Sequence, residues 1–168
     1  LTQAREHFLT ALDFQQRGEL VRAEASYRKA LDLPPNRPNV MTNLAAVLIE
    51  LGKYEEARSV SEKLSEIDPE NPAALLNQGN CQLRCDAADA ALIAFDKALK
   101  MRPDYVEALV GRAGALVDLD RPGEALASCE SALAIKPDCV EALVTRGVAM
   151  RRLKRYDEAL ASYDRALA

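Results

Sequence analysis

Cys81 and Cys85 stand four residues apart, a spacing that sets two thiols on one face of a helix, where a soft metal ion would find half of a tetrahedral site. The other half is missing: the single histidine, His7, is remote in sequence, and Cys129 and Cys139 form no second close pair. The four thiols therefore read as small packing residues, a usage that fits a reducing cytoplasm. Neither a metal nor a cofactor is expected. Nucleophilic catalysis is no better supplied, because His7 has no serine or cysteine partner at a recognisable spacing. The seven glycines are scattered rather than gathered in a phosphate loop. Carboxylate pairs such as Glu55/Glu56 and Asp157/Glu158 open predicted helices, where they complement the helix dipole. The basic run Arg151, Arg152, Lys154 and Arg155 closes a predicted helix, and no aromatic platform for nucleobases accompanies it. The chain is read as a non-enzyme.

Apolar residues make up 49% of the 168 and charged residues 29%, the balance of a folded rather than a disordered chain. The net charge of −4, with both signs interspersed, argues against nucleic acid as the main partner. No apolar run has the length of a membrane span, and nothing at the start has the pattern of a signal peptide. A cytoplasmic location is expected. The chain opens on Leu1 and stops partway through a repeating unit, and we read it as a piece of a longer protein.

The elements that must position these residues follow from a period. Ala23, Ala57, Ala91, Ala125 and Ala159 recur every 34 residues, as do Pro35, Pro69, Pro103 and Pro137. Within the unit 106–139, Leu109, Ala113, Leu116 and Leu119 mark one amphipathic helix. Pro122 opens a second, which carries Ala125, Leu126, Cys129, Ala132 and Leu133 and ends before Pro137. Asp104 with Glu107, and Asp138 with Glu141, have the spacing of capping boxes. Each unit is thus a pair of helices joined by a tight turn. The small residues Ala11, Ala45, Gly79, Ala113 and Gly147 are expected to let the first helix approach the alanines of the second. Tyr27/Ala30, Phe95/Ala98, Cys129/Ala132 and Tyr163/Ala166 have their sizes exchanged at Ser61/Leu64, as one packed layer requires.

The motif Leu143, Arg146-Gly147, Met150, Tyr156, Ala159, Tyr163, Ala166 resembles the tetratricopeptide repeat family, and the resemblance extends over the whole chain. Five repeats are expected, at 4–37, 38–71, 72–105, 106–139 and 140–168, forming a single array. His7 fills a bulky slot, Arg112 and Arg146 stand where the family has leucine, and Pro122 where it has tyrosine. The resemblance implies an all-α, right-handed superhelical solenoid of antiparallel helix pairs whose first helices line a concave groove. A peptide or protein partner is expected there, held by Arg5, Phe8, Leu12, Asn43, Leu76, Asn77, Asn80, Arg84, Val110, Val144 and Arg152. The columns of the family's carboxylate clamp hold Phe8, Leu12, Asn43, Ala73 and Asn77, and only Asn43 fits, so chaperone tails are not the expected ligand. Asn43 and Asn77 look like a short asparagine ladder of the kind in O-linked N-acetylglucosamine transferases, which implies an alternative role as the recognition arm of a larger enzyme. Leu160 and Leu167 on the last helix are expected to be exposed, which would permit end-to-end self-association.

Overall fold

The computed structural model describes residues 2–33 and 37–168, so the expected helix-ending role of Pro35 lies outside the described residues. Ten helices are described: α1 (Thr2–Gln16), α2 (Leu20–Leu31), α3 (Pro38–Glu50), α4 (Tyr54–Ile67), α5 (Pro72–Arg84), α6 (Ala88–Met101), α7 (Val106–Asp118), α8 (Pro122–Ile135), α9 (Val140–Arg152) and α10 (Tyr156–Leu167). They form two compact units, Leu1–Cys85 and Asp86–Ala168, and the division falls inside the third repeat. In the first unit α1 to α5 pack each on the next, and α3 also meets α5. In the second, α6 to α10 do the same, and α7 also meets α9.

The prolines stop helices through the residue that precedes them. Asp68, Arg102 and Lys136 sit at φ/ψ of −138°/78°, −135°/89° and −128°/91°. The following proline ring excludes the helical region for each of them. Each still donates its backbone N–H to the carbonyl four residues back before the chain turns away. Within a repeat the turn is made differently. Gly18, Gly52, Asp86, Asp120 and Lys154 share the left-handed conformation, with φ from 55° to 74°, and stand 34 residues apart. The residue after four of them donates to a carbonyl five back (Glu19 to Phe14, Lys53 to Leu48, Arg121 to Leu116, Arg155 to Met150), the signature of a Schellman stop. Glycine enters that conformation without cost and aspartate with little, whereas Lys154 carries the steric penalty of a Cβ there.

Helix starts correct one expectation. The caps of α7 and α9 are Tyr105 and Cys139, neither gives a side-chain cap bond, and Asp104 and Asp138 lie one residue too early to form capping boxes. The start of α5 is capped from a side chain, with Asn71 Oδ1 accepting from the amides of Ala73 and Ala74 at 3.1 and 3.2 Å.

The alanine columns are core. Ala23, Ala57, Ala91 and Ala125 are wholly buried, as are Ala11, Ala45 and Ala113. At Gly147, a member of the small-residue column, and at Gly111, outside it, the nearest atoms to an added Cβ belong to an aromatic ring. A Cβ on Gly147 of α9 would lie 2.4 Å from the Tyr163 ring of α10, and one on Gly111 of α7 would lie 2.5 Å from the Phe95 ring of α6. Both pairs are 16 residues apart, one within a repeat and one between consecutive repeats. The exchange at Ser61/Leu64 also holds, since both side chains are fully buried.

Two residues that depart from the family pattern have partners at the same spacing. Arg112 Nη1 donates to Ser128 Oγ at 2.5 Å, and Arg146 Nε donates to Ser162 Oγ at 2.9 Å. In the second repeat the corresponding pair is Leu44 and Val60, both packed in one apolar cluster. A polar pair has replaced an apolar one jointly. Pro122 opens α8 as expected. Of the cysteines, Cys81, Cys129 and Cys139 are buried, and burial pushes the first two thiols up to about 11 and about 12. Cys85 is exposed at the end of α5, so it is not a packing residue.

An ion-pair cluster ties α2 to the turn before α4. The Glu24 carboxylate is nearly buried, and it accepts from Lys53 Nζ at 2.8 and 3.0 Å and from Arg28 at 2.9 and 3.0 Å. Burial pushes its pKa up, but the hydrogen bonds from Lys53 and Arg28 outweigh that and hold it below 4.5. A depressed carboxyl pKa stabilises the fold above the unfolded value and loses that contribution as pH falls through the folded one. Wild type should therefore exceed Glu24→Gln in urea midpoint at about pH 7, with the gap closing as pH falls well below 4.5. A gap that does not change with pH would contradict this assignment.

Candidate functional site

The expected groove residues lie on first helices. In the first unit, Phe8 and Leu12 of α1 are half-buried and rest on the cluster built around Ala11, Tyr27 and Leu44. The rings of Phe8 and Tyr27 are 6.0 Å apart and tilted by 53°. Arg5 is exposed one turn before Phe8, and Arg84 is exposed at the end of α5. Leu76 and Asn80 are half-buried on α5. In the second unit Val110 of α7 is half-buried, and Val144 of α9 is 42% exposed. Because α7 and α9 touch, these two valines occupy neighbouring helices. Arg152 is exposed and reaches Asp120 Oδ1 at 3.4 Å, a contact that solvent screens.

The asparagine column differs from expectation. Asn77 is buried, with 6% of its surface accessible, and its Nδ2 donates to the backbone carbonyl of Thr42 on α3 at 3.0 Å. Its amide thus fastens α5 to α3 and is not offered to a ligand. The register that sets Phe95 over Gly111 places Asn77 opposite the small Ser61, where there is room for it. Asn43 is half-buried near the Tyr27 phenol, which donates its proton to Gln15 Oε1 at 2.6 Å. Burial raises that phenol to about 12, with Asn43 pulling the other way. The Asn77 rung of the supposed ladder is engaged inside the first unit. Nothing in sequence spacing distinguishes an amide facing a ligand from one facing a neighbouring helix. The joint change from Leu44/Val60 to Arg112/Ser128, by contrast, was a readable signal that those positions meet.

The remaining first-helix residues are chemically mixed in each unit: half-buried apolar side chains occur with exposed Arg5 and Arg84 in the first, and with the exposed carboxylates Glu107 and Glu141 in the second. His7 is half-buried on α1, and the acidic pairs Glu55/Glu56 and Asp157/Glu158 occupy first turns of α4 and α10. The basic run ends α9, with Arg155 bidentate to Glu158 at 2.6 Å on each side. Among the described residues no helix is long and apolar enough to cross a membrane. Leu160 and Leu167 are 60% and 86% exposed.

Profiles of the tetratricopeptide repeat family match residues 14–77 and 52–113, and a second match covers 110–168. Among solved structures, a thermophilic tetratricopeptide repeat protein from Thermus thermophilus is 20% identical with a TM-score of 0.86, over 98% of this chain and 90% of that one. MamA from Desulfovibrio magneticus is 16% identical with a TM-score of 0.80, over 98% of this chain and 93% of that one. A tetratricopeptide repeat protein from Parabacteroides merdae is 22% identical with a TM-score of 0.75, over 99% of this chain and 66% of that one. At these identities the likeness is one of fold. No curated protein sequence matches the chain.

Proposed function

Because this chain belongs to the tetratricopeptide repeat family, we propose that it is a protein-binding scaffold whose first helices present their free faces to a peptide or protein partner. The observation that supports this is the recurrence of half-exposed apolar side chains on that face: Phe8, Leu12 and Leu76 in one unit, Val110 and Val144 in the other. Exposed charges occur on the same helices: Arg5 and Arg84 in the first unit, Glu107, Glu141 and Arg152 in the second. Asn77 is excluded from the contact set; Arg5, Asn80 and Arg84 supply the polar part in the first unit, and Arg152 in the second. The recognition-arm reading loses one of its two rungs with the internal engagement of Asn77, and a single asparagine is no ladder.

A peptide selected on the immobilised protein from a random library tests the surface. Leu76→Asp and Val144→Asp should each be capable of weakening a selected peptide by tenfold or more, the effect of losing one central anchor of about 1.4 kcal/mol. Ile93→Asp, at an exposed position on α6, should leave affinity unchanged. Selected peptides that respond to Ile93→Asp and to neither first-helix variant would move the site elsewhere.

A further inference from the structure

In the second unit a surface cavity of about 430 Å3 opens between α6 and α8, with α7 as its floor. Arg112, on the floor, is two positions from Val110, so about 200° of helix separates them and the cavity faces away from the first-helix surface described above. The Arg112 side chain is 25% exposed. Its Nε donates to Asp96 Oδ1 at 2.7 Å and its Nη1 to Ser128 Oγ at 2.5 Å. A guanidinium has five donors, and these bonds use two. Lys100 stands one turn beyond Asp96 on the same wall and makes no ion pair with the described residues. Among the lining residues two cations meet one carboxylate, and Glu124, which also acts on Arg112, is neutralised by its bidentate pairing with Arg121, so the cavity stays positive. Leu99 and Leu109 add apolar surface beside the guanidinium, and Ser131 adds a hydroxyl at the rim.

The fold does not require this chemistry. The second repeat closes the same contact with Leu44 and Val60, and taking a guanidinium largely out of water costs solvation that an apolar pair avoids. A positive, partly apolar cavity floored by an arginine with spare donors matches one class of ligand. We propose that this cavity binds an aliphatic carboxylate, presented as the glutamate side chain of a partner protein. Its methylenes rest on Leu99 and Leu109, and its oxygens take the unused donors of Arg112 and the Lys100 ammonium. The cavity is separate from the first-helix surface, so the two readings stand or fall independently.

The test is an NMR titration of the full chain, following Arg112 Nε–H and the backbone amides of Ser128 and Ser131. Three probes are compared: N-acetyl-Ala-Glu-Ala-amide, the same tripeptide with glutamine, and free glutarate. The glutamate tripeptide should give saturable shifts at these positions, and the glutamine tripeptide should not. Arg112→Leu with Ser128→Val, which copies the second repeat, should keep the helicity of wild type and weaken binding at least tenfold. Lys100→Ala touches no packing and should weaken it at least threefold, which keeps the test valid if the double variant misfolds. Equal response to the glutamine tripeptide, retained binding in both variants, or equal shifts at Arg5 and Arg165 would overturn the site. Binding of glutarate without the tripeptide would overturn the side-chain source.

Discussion

Phe95→Ala should destabilise the second unit by about 3–5 kcal/mol, the cost of removing a fully buried aromatic side chain whose surroundings relax only in part. The sharper form of this result involves Gly111. A Cβ there meets Phe95 Cζ at 2.5 Å, so Gly111→Ala forces the ring aside, an overpacking cost of about 1–3 kcal/mol. Alanine is also the better helix former by about 1 kcal/mol, which partly offsets the clash. With the ring removed the clash vanishes and the helical gain remains. Gly111→Ala is therefore expected to be neutral or destabilising in wild type and stabilising in the Phe95→Ala background. Residues in contact couple in this way, whereas distant ones add. Urea unfolding of the four proteins measures the coupling, and simple additivity would mean that ring and glycine do not share the space. At Gly147 the same substitution should cost less, because Tyr163 is only half-buried and its ring has solvent to move into.

Ala125→Leu should cost about 1–3 kcal/mol by overpacking α8 against α7. Ala125 is wholly buried, and a close-packed interior has little room for three extra carbon atoms. Ala134→Leu on the same helix adds the same atoms at an exposed position and should fall within about 0.5 kcal/mol of wild type. Repeat units couple mainly to their neighbours, so the loss need not appear as one global transition. Amide exchange should show it as reduced protection in α7 and α8, with α1 and α2 unaffected. Equal effects of the two substitutions would remove the alanine column from the helix contact.

Helix identity and helix ends were legible because their causes are local. Proline restricts the residue before it, so Pro69, Pro103 and Pro137 announce the backbone of Asp68, Arg102 and Lys136 without reference to anything distant. The left-handed turn shared by Gly18, Gly52, Asp86, Asp120 and Lys154 is equally local in cause, since glycine and aspartate enter that conformation readily. The capping boxes failed because the helices begin one residue later than Asp104 and Asp138 require, a shift that spacing alone does not resolve.

The division between what was readable and what was not follows the range of the forces. Period, helix pairing, turn positions and the burial of the alanines are properties of a chain segment and its immediate neighbours along the sequence, and the sequence by itself determined them. Which way an amide or a guanidinium turns depends on the helix packed beside it. Asn77 became a tie to Thr42, Gly111 a seat for Phe95, and Arg112 the floor of a cavity only once the helices were in contact. Those assignments rest on side chains 16 and 35 residues apart meeting across an interface, and only the tertiary structure decided them.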